Sequence, residues 1–325
     1  MMTKLPLVCI CIPTYNSEKT LAKTLKSLVT QTYPNIIIKI INNNSEDNTL
    51  EIAKRYANKY NNIKIVDYSI TVSAEENFDR CLELSEGKYT CLFHSDDCYE
   101  PDIIEKEIAQ LETNKEVGAV FTCANIIDEN DNLIGELIPR KEFFKEKMHS
   151  FPELFPLILQ YGMCFVTPSA MVRTDIYKKT IKNHQRKKEF GGASDVDTWI
   201  RILKETNVII LKEKLINYRS SIASYSFRHR KDYKNTLSDK MLLVLKYNID
   251  EMFNKEERNR YYKLLERLES KTLLKNAHEA IINKDYAYAK ILLEKVNDSM
   301  LFWRYTIKKY IYISAVYFKK GKTKK

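Results

Sequence analysis

Two adjacent carboxylates, Asp96 and Asp97, stand in the stretch Phe93-His94-Ser95-Asp96-Asp97-Cys98-Tyr99-Glu100-Pro101, directly after the apolar run Tyr89-Thr90-Cys91-Leu92-Phe93. Like charges side by side repel unless a positive group sits between or above them. A strand ending on such a pair points to a divalent cation and, with it, to a phosphate. The competing reading is a solvated turn whose aspartate caps the following helix. Two further polar clusters also follow apolar runs, Thr14-Tyr15-Asn16 and Asn42-Asn43-Asn44.

Holding these groups together requires a scaffold, and the hydrophobic pattern supplies one. Apolar, β-branched runs at Leu7–Pro13, Ile36–Ile41, Ile63–Val66 and Tyr89–Phe93 alternate with segments of helical period at 17–32, 45–60, 75–84 and 101–112. Ser45 is placed to cap the second of these helices, with Asp47 in its first turn. Strands alternating with helices predict a mostly parallel sheet covered on both faces. Ligands of such sheets bind beyond the carboxyl ends of the strands, where all three polar clusters fall. Further on, Val117–Ile126 and Asn132–Ile138 predict a hairpin. A helix near Pro152–Gln160 and an apolar run over Met163–Val172 follow, then a helix over Val196–Glu205 capped by Ser194 or Asp195. From about Asp232 the chain reads as helical, and Ala277–Val296 has the pattern of one tetratricopeptide-type hairpin.

Composition narrows the setting. With 44% hydrophobic and 30% charged residues, the chain is globular rather than disordered. It has no apolar run of about 18 residues and no basic-then-apolar leader, so the expectation is a cytoplasmic protein. Its seven cysteines (9, 11, 81, 91, 98, 123 and 164) form no CxxC pair and lie in apolar contexts, which predicts reduced, mostly buried thiols. The net charge of +10 comes from the last hundred residues, and the final 25 hold eight Lys/Arg and no acid. There, Leu301-Phe302-Trp303-Arg304, Lys308-Lys309-Tyr310-Ile311-Tyr312 and Phe318-Lys319-Lys320 interleave aromatics with cations. This suits peripheral contact with an anionic membrane, at the inner face of the plasma membrane. The plainer alternative is a last helix packed on the core with a solvated Lys tail. No RNA-binding signature accompanies the segment, so nucleic acid is not expected.

The chain has neither GxGxxG nor GxxxxGK[ST]. Five ordered motifs, Cys11-Ile12-Pro13-Thr14-Tyr15-Asn16, 41–49, 76–82, His94-Ser95-Asp96-Asp97 and 193–201, instead resemble, over about residues 5–225, those of the family 2 glycosyltransferases of GT-A fold, of bacterial surface-glycan type. Cys11-Ile12-Pro13-Thr14-Tyr15-Asn16 resembles their opening strand and P-T-Y-N loop. Ile41-Asn42-Asn43-Asn44-Ser45-Glu46-Asp47-Asn48-Thr49 is similar to their D-(D/N)-x-S-x-D-x-T segment. Glu76-Asn77-Phe78-Asp79-Arg80-Cys81-Leu82 with Gly87-Lys88-Tyr89 matches N-W-N-R-C-L followed by G-E-Y. His94-Ser95-Asp96-Asp97 with Pro101 resembles the D-x-D-D-x-x-x-P metal motif. Ala193-Ser194-Asp195-Val196-Asp197-Thr198-Trp199-Ile200-Arg201 resembles E-D-x-D-L-W-L-R.

The resemblance implies a GT-A nucleotide-diphospho-sugar transferase domain over 1–228, α/β in class, with a basic α-helical extension over 229–325. It implies an inverting transfer of sugar from a nucleotide-diphosphate donor, UDP-linked, to a hydroxyl of a lipid-linked or surface-glycan acceptor. Pro13, Thr14, Tyr15, Asn42, Asn77, Ser95 and Asp96 would bind the donor. Asp96 and Asp97 would hold Mn²⁺ or Mg²⁺, and Asp195 would be the general base, above a Gly191-Gly192 hinge. Trp199, on the same helix, is expected in the core. Three departures stand out: Asn42 where an aspartate accepts from uracil N3–H, His94 where the metal motif starts with aspartate, and Ser221 in place of the histidine of Y-R-x-H, for which His229 is a substitute. They leave two alternatives open: a catalytically degenerate GT-A-like protein that binds nucleotide sugar or glycan, and an interaction scaffold built on the C-terminal helices.

Overall fold

The computed structural model describes residues 5–145, 147–182, 187–220, 236–297 and 303–320. Two compact units are present. One comprises Met1–Leu154, Cys164–Arg186 and Thr198–Ser221, the other Phe155–Met163, Lys187–Asp197 and Ile222–Lys325.

The first unit is built on a sheet. Strands β1 (Val8–Thr14), β2 (Ile36–Asn43), β3 (Ile63–Tyr68) and β4 (Tyr89–Leu92) lie parallel in the order β3-β2-β1-β4. Helices α1 (Leu21–Val29), α2 (Thr49–Lys59) and α3 (Ala74–Leu84) make the crossovers. Because crossover helices cover a parallel sheet, its central strands are apolar on both sides. Ile10, Ile12, Ile38 and Ile40 are fully buried, with Leu21 and Leu25 of α1 among the same cluster. Each such side chain contributes about 1.5–3 kcal/mol through burial.

Beyond β4 the sheet is mixed. It continues through β8 (Met171–Arg173), β6 (Val117–Ile127), β9 (Asn207–Arg219) and the two-residue β5 (Cys98–Tyr99), with β7 (Leu133–Leu137) paired to β6. β8 runs antiparallel to β4 and β6, whereas β6 and β9 are parallel. The expected hairpin over 117–138 is therefore present as β6–β7. Helix α4 (Ile103–Thr113) packs on β6. One of its inward residues is Glu107, fully buried with neither carboxylate oxygen hydrogen-bonded.

Two local expectations are corrected. Ser45 caps no helix: α2 starts later, at Thr49, and Ser45 Oγ donates instead to Asn42 Oδ1 at 2.6 Å. Helix α7 (Ser194–Glu205) starts at Ser194, directly after a 3-10 turn, so Ser194 and Asp195 lie within its first turn rather than capping it. The Ser194 hydroxyl donates to Gly191 O at 2.6 Å.

The second unit is helical. Helices α5 (Phe151–Tyr161) and α7 each contribute residues to both units. They are followed by α8 (Leu237–Met252), α9 (Lys255–Ile282), α10 (Tyr286–Glu294) and α11 (Trp303–Lys320). Capping boxes start α8 at Thr236/Asp239 and α9 at Asn254/Glu257, each such cap stabilising by about 1 kcal/mol. The predicted α9–α10 hairpin is present, with fully buried Ala277, Ala280 and Ala289 joining Leu292, Leu293, Val296 and Val316 of α11 in one cluster. Among the described residues no helix is long and apolar enough to cross a membrane. The described cysteines are free thiols, all buried except Cys98, which is partly so.

Candidate functional site

The parallel strands of the first unit deliver their polar ends to one row. Register pairs Thr14 with Asn42 across β1–β2, and Asn42 with Asp67 across β2–β3. Asn42 is 1% exposed and its amide is engaged at both ends. Its Oδ1 accepts from Ser45 Oγ at 2.6 Å and Thr14 Oγ1 at 3.5 Å, while Nδ2 donates to Asp67 Oδ1 at 2.7 Å. Asp67 itself is exposed.

The loops after β1 and β2 are laced together. Asn16 and Asn44 both adopt left-handed backbone (φ 48° and 56°), a conformation asparagine tolerates better than most residues. Asn16 N–H donates to Ser45 Oγ at 3.0 Å, and Glu46 N–H donates to Asn16 Oδ1 at 2.9 Å. Asp47 fastens the same loops by accepting from Glu18 N–H and Thr49 N–H. Tyr15 stands half-exposed at the rim beside partly buried Pro13. Asn77 is placed differently: it is buried beneath β2, where Nδ2 donates to Ile41 O at 3.4 Å.

After β4 the carboxylate loop is held from three sides. Ser95 Oγ lies 2.9 Å from Ser17 Oγ, and Thr24 Oγ1 donates to the carbonyls of Ser95 (3.0 Å) and Asp97 (2.7 Å). His94 N–H donates to the Tyr99 hydroxyl at 2.8 Å. The third support is Arg219, 3% exposed at the end of β9. Its backbone N–H donates to Asp97 Oδ1 at 2.8 Å and its Nε to Asp96 O at 2.9 Å. Its Nη1 reaches Asp128 O (2.7 Å) and its Nη2 pairs with Asp131 Oδ1 (2.6 Å), tying the β6–β7 turn to the same loop.

Asp96 is partly exposed, whereas Asp97 is fully buried. Burial, with the Asp96 carboxylate beside it, pushes the Asp97 carboxyl well above the usual carboxylate range, against the pull of the Arg219 N–H. Asp97 Oδ2 has no hydrogen-bond partner, and His94 Nδ1 lies 3.8 Å from it. One donor atom each from His94, Asp96 and Asp97 lie within 4.8 Å of one another, the one such group among the described residues. A buried carboxylate oxygen without a proton donor, facing a second carboxylate and an imidazole, is an environment a divalent cation satisfies. The donor set therefore fits such an ion.

Residues 9–181 match Glycosyl transferase family 2. The chain belongs to this family. An uncharacterized glycosyltransferase of Methanocaldococcus jannaschii is 30% identical over 218 residues, covering 66% of this chain and 71% of its own. Among solved structures, S. aureus TarS 1-349 in complex with UDP-GlcNAc superposes with a TM-score of 0.59 at 16% identity, covering 90% of this chain and 82% of that one. The mannosyltransferase PcManGT from Pyrobaculum calidifontis, in complex with GDP-Man and Mn²⁺, gives 0.59 at 15% identity, covering 99% and 89%. The expected GT-A architecture with C-terminal helices is thus that of this family 2 glycosyltransferase.

The remaining expected residues are distributed as follows. Asp195 lies in the second unit, in the first turn of α7, where Oδ1 accepts from Val196 N–H at 2.9 Å. Gly191, just before it, has φ 46° and ψ −129°, so the turn uses a backbone conformation open to glycine. Trp199 is core, as expected: it is 2% exposed, meets Phe121 edge-on and donates from Nε1 to Thr167 Oγ1 at 3.0 Å. Ser221 and His229 lie outside the described residues, as does the Lys tail from 321. Arg219 and Asp67 were missed. Asp67 carries the same signal as the other clusters, a polar side chain at the carboxyl end of an apolar strand. Tyr218-Arg219-Ser220-Ser221 resembles Y-R-x-H, which singles out Arg219 as a motif position, but its local sequence does not reveal the clamp on Asp96 and Asp97.

Proposed function

We propose that this family 2 glycosyltransferase transfers a sugar from a UDP-linked donor to a hydroxyl of a lipid-linked or surface glycan, with inversion at the anomeric carbon. The observation that carries this reading is the convergence of His94, Asp96 and Asp97 at the carboxyl end of β4, in the strand layer whose neighbouring ends present Thr14, Asn42 and Asp67. Donors in similar structures, UDP-GlcNAc in one and GDP-Man with Mn²⁺ in another, support a nucleotide-sugar donor.

In this reading Pro13 and Tyr15 wall the nucleobase, and Ser95 and Asp96 face the ribose and diphosphate. Asn77 shapes the pocket from beneath β2. Asp96 is the solvent-facing ligand for Mn²⁺ or Mg²⁺, with His94 and Asp97 completing the donor set. A divalent cation there supplies positive charge for the departing diphosphate. Asp195 accepts the proton of the acceptor hydroxyl as that oxygen bonds to the anomeric carbon. The carbon–phosphate-oxygen bond breaks on the opposite side, its electron pair leaving with the diphosphate, and no sugar–enzyme bond forms. We place the reaction at a membrane surface: α11 exposes Ile307, Tyr310 and Ile311 beside Lys308, in a segment rich in cations and free of acids.

A nucleotide-release screen over a panel of nucleotide sugars, with Mn²⁺ or Mg²⁺, tests the proposal. Asp195→Asn should abolish transfer while leaving donor affinity within about twofold, and Asp96→Ala should weaken metal-dependent nucleotide binding by about tenfold or more. Donor binding without turnover in the wild type would favour the degenerate, binding-only alternative. Retained turnover in Asp195→Asn would remove that residue from the base role.

A further inference from the structure

Helix α7 opens with two aspartates two residues apart, and they face opposite ways. At about 100° per residue, Asp195 and Asp197 project about 200° apart around the helix axis. Asp195 is partly exposed, whereas Asp197 is 3% exposed. Asp197 meets Asn248 of α8, itself fully buried, whose Nδ2 donates to Asp197 Oδ1 at 2.7 Å and to Val244 O at 3.0 Å. Asn248 Oδ1 has no hydrogen-bond partner among the described residues, so this buried amide contributes through its donor. The same helix meets the turn before α7 again. The Tyr247 ring lies edge-on to Phe190 at 5.3 Å, with Lys187 Nζ 5.4 Å from its centroid. An added Cβ on Gly191 would lie 2.7 Å from Lys240 Nζ. Helix α9 fixes α8 in turn: its buried Asn276 donates to both oxygens of the capping residue Asp239, at 2.8 and 3.0 Å.

We infer that Asn248 is a positioning residue for the transfer: by holding Asp197 inward it fixes the rotation of the first turn of α7 and keeps Asp195 turned outward. This deepens the reading of Asp195 as the general base and rests on it. A base must come within about 2.6–3.2 Å of the oxygen whose proton it takes. A carboxylate about 6 Å from a helix axis swings by about 2 Å when the helix turns by about 20°. A misplacement of about 1 Å can cost about a hundredfold in rate. The Asn248–Asp197 bond opposes that rotation on the side of α7 away from Asp195. Asn276, through Asp239, holds the start of the helix that carries Asn248. Helices α8 and α9 then serve the reaction itself, as the support of its base.

The test is steady-state nucleotide release from a panel of UDP- and GDP-sugars with Mn²⁺, alongside calorimetric affinity for UDP and GDP. It uses the full-length wild type, Asp195→Asn, Asn248→Leu, Asn248→Asp and the exchanged pair Asp197→Asn/Asn248→Asp. Asn248→Leu should lower kcat at least about tenfold while nucleotide affinity stays within about twofold. Asn248→Asp sets carboxylate against carboxylate and should lower kcat as much. The exchanged pair restores the hydrogen bond in reverse, with the amide now on α7, and should return kcat to within about threefold of the wild type. Wild-type kcat in Asn248→Leu would show that the packing of Trp199 alone orients α7, and overturns the inference. Equal losses of kcat and nucleotide affinity would mark a purely structural role and overturn it too. If circular dichroism shows that Asn248→Leu does not fold, the exchanged pair decides: a kcat below about a tenth of the wild type overturns the inference. Turnover retained in Asp195→Asn, or absent from the wild type, overturns the reading of Asp195 as base and the inference with it.

Discussion

The backbone N–H of Arg219 donates to Asp97 Oδ1 at 2.8 Å, joining the last strand of the sheet to the second of the two adjacent carboxylates. The same residue's guanidinium reaches Asp96 O, Asp128 O and Asp131, so one buried cation sets the shape of the carboxylate loop and of the β6–β7 turn. Arg219→Ala keeps the backbone bond but removes the clamp. The expected result is a stability loss of about 2–4 kcal/mol, from unpaired carbonyls and the void left behind, and nucleotide affinity weakened at least about tenfold. Arg219→Lys should rescue little, because an ammonium cannot reproduce the planar fork. Thermal unfolding and titration calorimetry together decide this; wild-type affinity in Arg219→Lys would show that charge alone suffices.

Glu107 sets a pH dependence of stability that is separate from the site. Burial raises its carboxyl well above the ordinary 4.5, and neither oxygen is hydrogen-bonded, so the folded chain holds this proton to higher pH than the unfolded chain does. The unfolded chain ionises near the ordinary value. The favourable contribution is therefore complete below about pH 4.5 and declines as pH rises through the raised folded value, at up to about 1.4 kcal/mol per pH unit. Glu107→Gln removes that dependence. Between pH 5 and pH 8 the melting temperature of Glu107→Gln should rise relative to the wild type, and parallel curves would count against this account.

Gly87 tests a backbone constraint at the entry to β4. Its φ is +76°, and an added Cβ would lie 2.6 Å from Leu7 O. Both Lys88 and Tyr89 donate their N–H groups to that carbonyl, so it cannot withdraw cheaply. Gly87→Ala should cost at least about 1–3 kcal/mol and displace β4. Urea unfolding gives the number; a loss below about 0.5 kcal/mol would mean that the turn relaxes without strain.

The proposed membrane association is tested separately, on α11. Replacing Ile307 and Ile311 on α11 with Glu should reduce cosedimentation with phosphatidylglycerol vesicles by about tenfold or more, and raised salt should weaken the wild type. Equal partition to neutral phosphatidylcholine vesicles would argue against charge-assisted binding.

Much of this protein follows from one-dimensional pattern. The parallel core β3-β2-β1-β4, the place of the Asp96-Asp97 pair just beyond β4, the buried thiols and the α9–α10 hairpin are all set by periodicity and by polar residues at the ends of apolar runs. Short-range chemistry is written in short-range order, since each depends on residues within one element. Tertiary structure decided what depends on neighbours distant in sequence. Ser45 reads as a helix cap but binds Asn42, because the β1 and β2 loops are laced together through its hydroxyl. Asn42 reads as a base acceptor but has both amide atoms engaged, one by Asp67, 25 residues away. Arg219 clamps Asp96 from 123 residues along the chain. A hydrogen bond is fixed by where its two partners meet in space, and for these pairs only the packed sheet determines that.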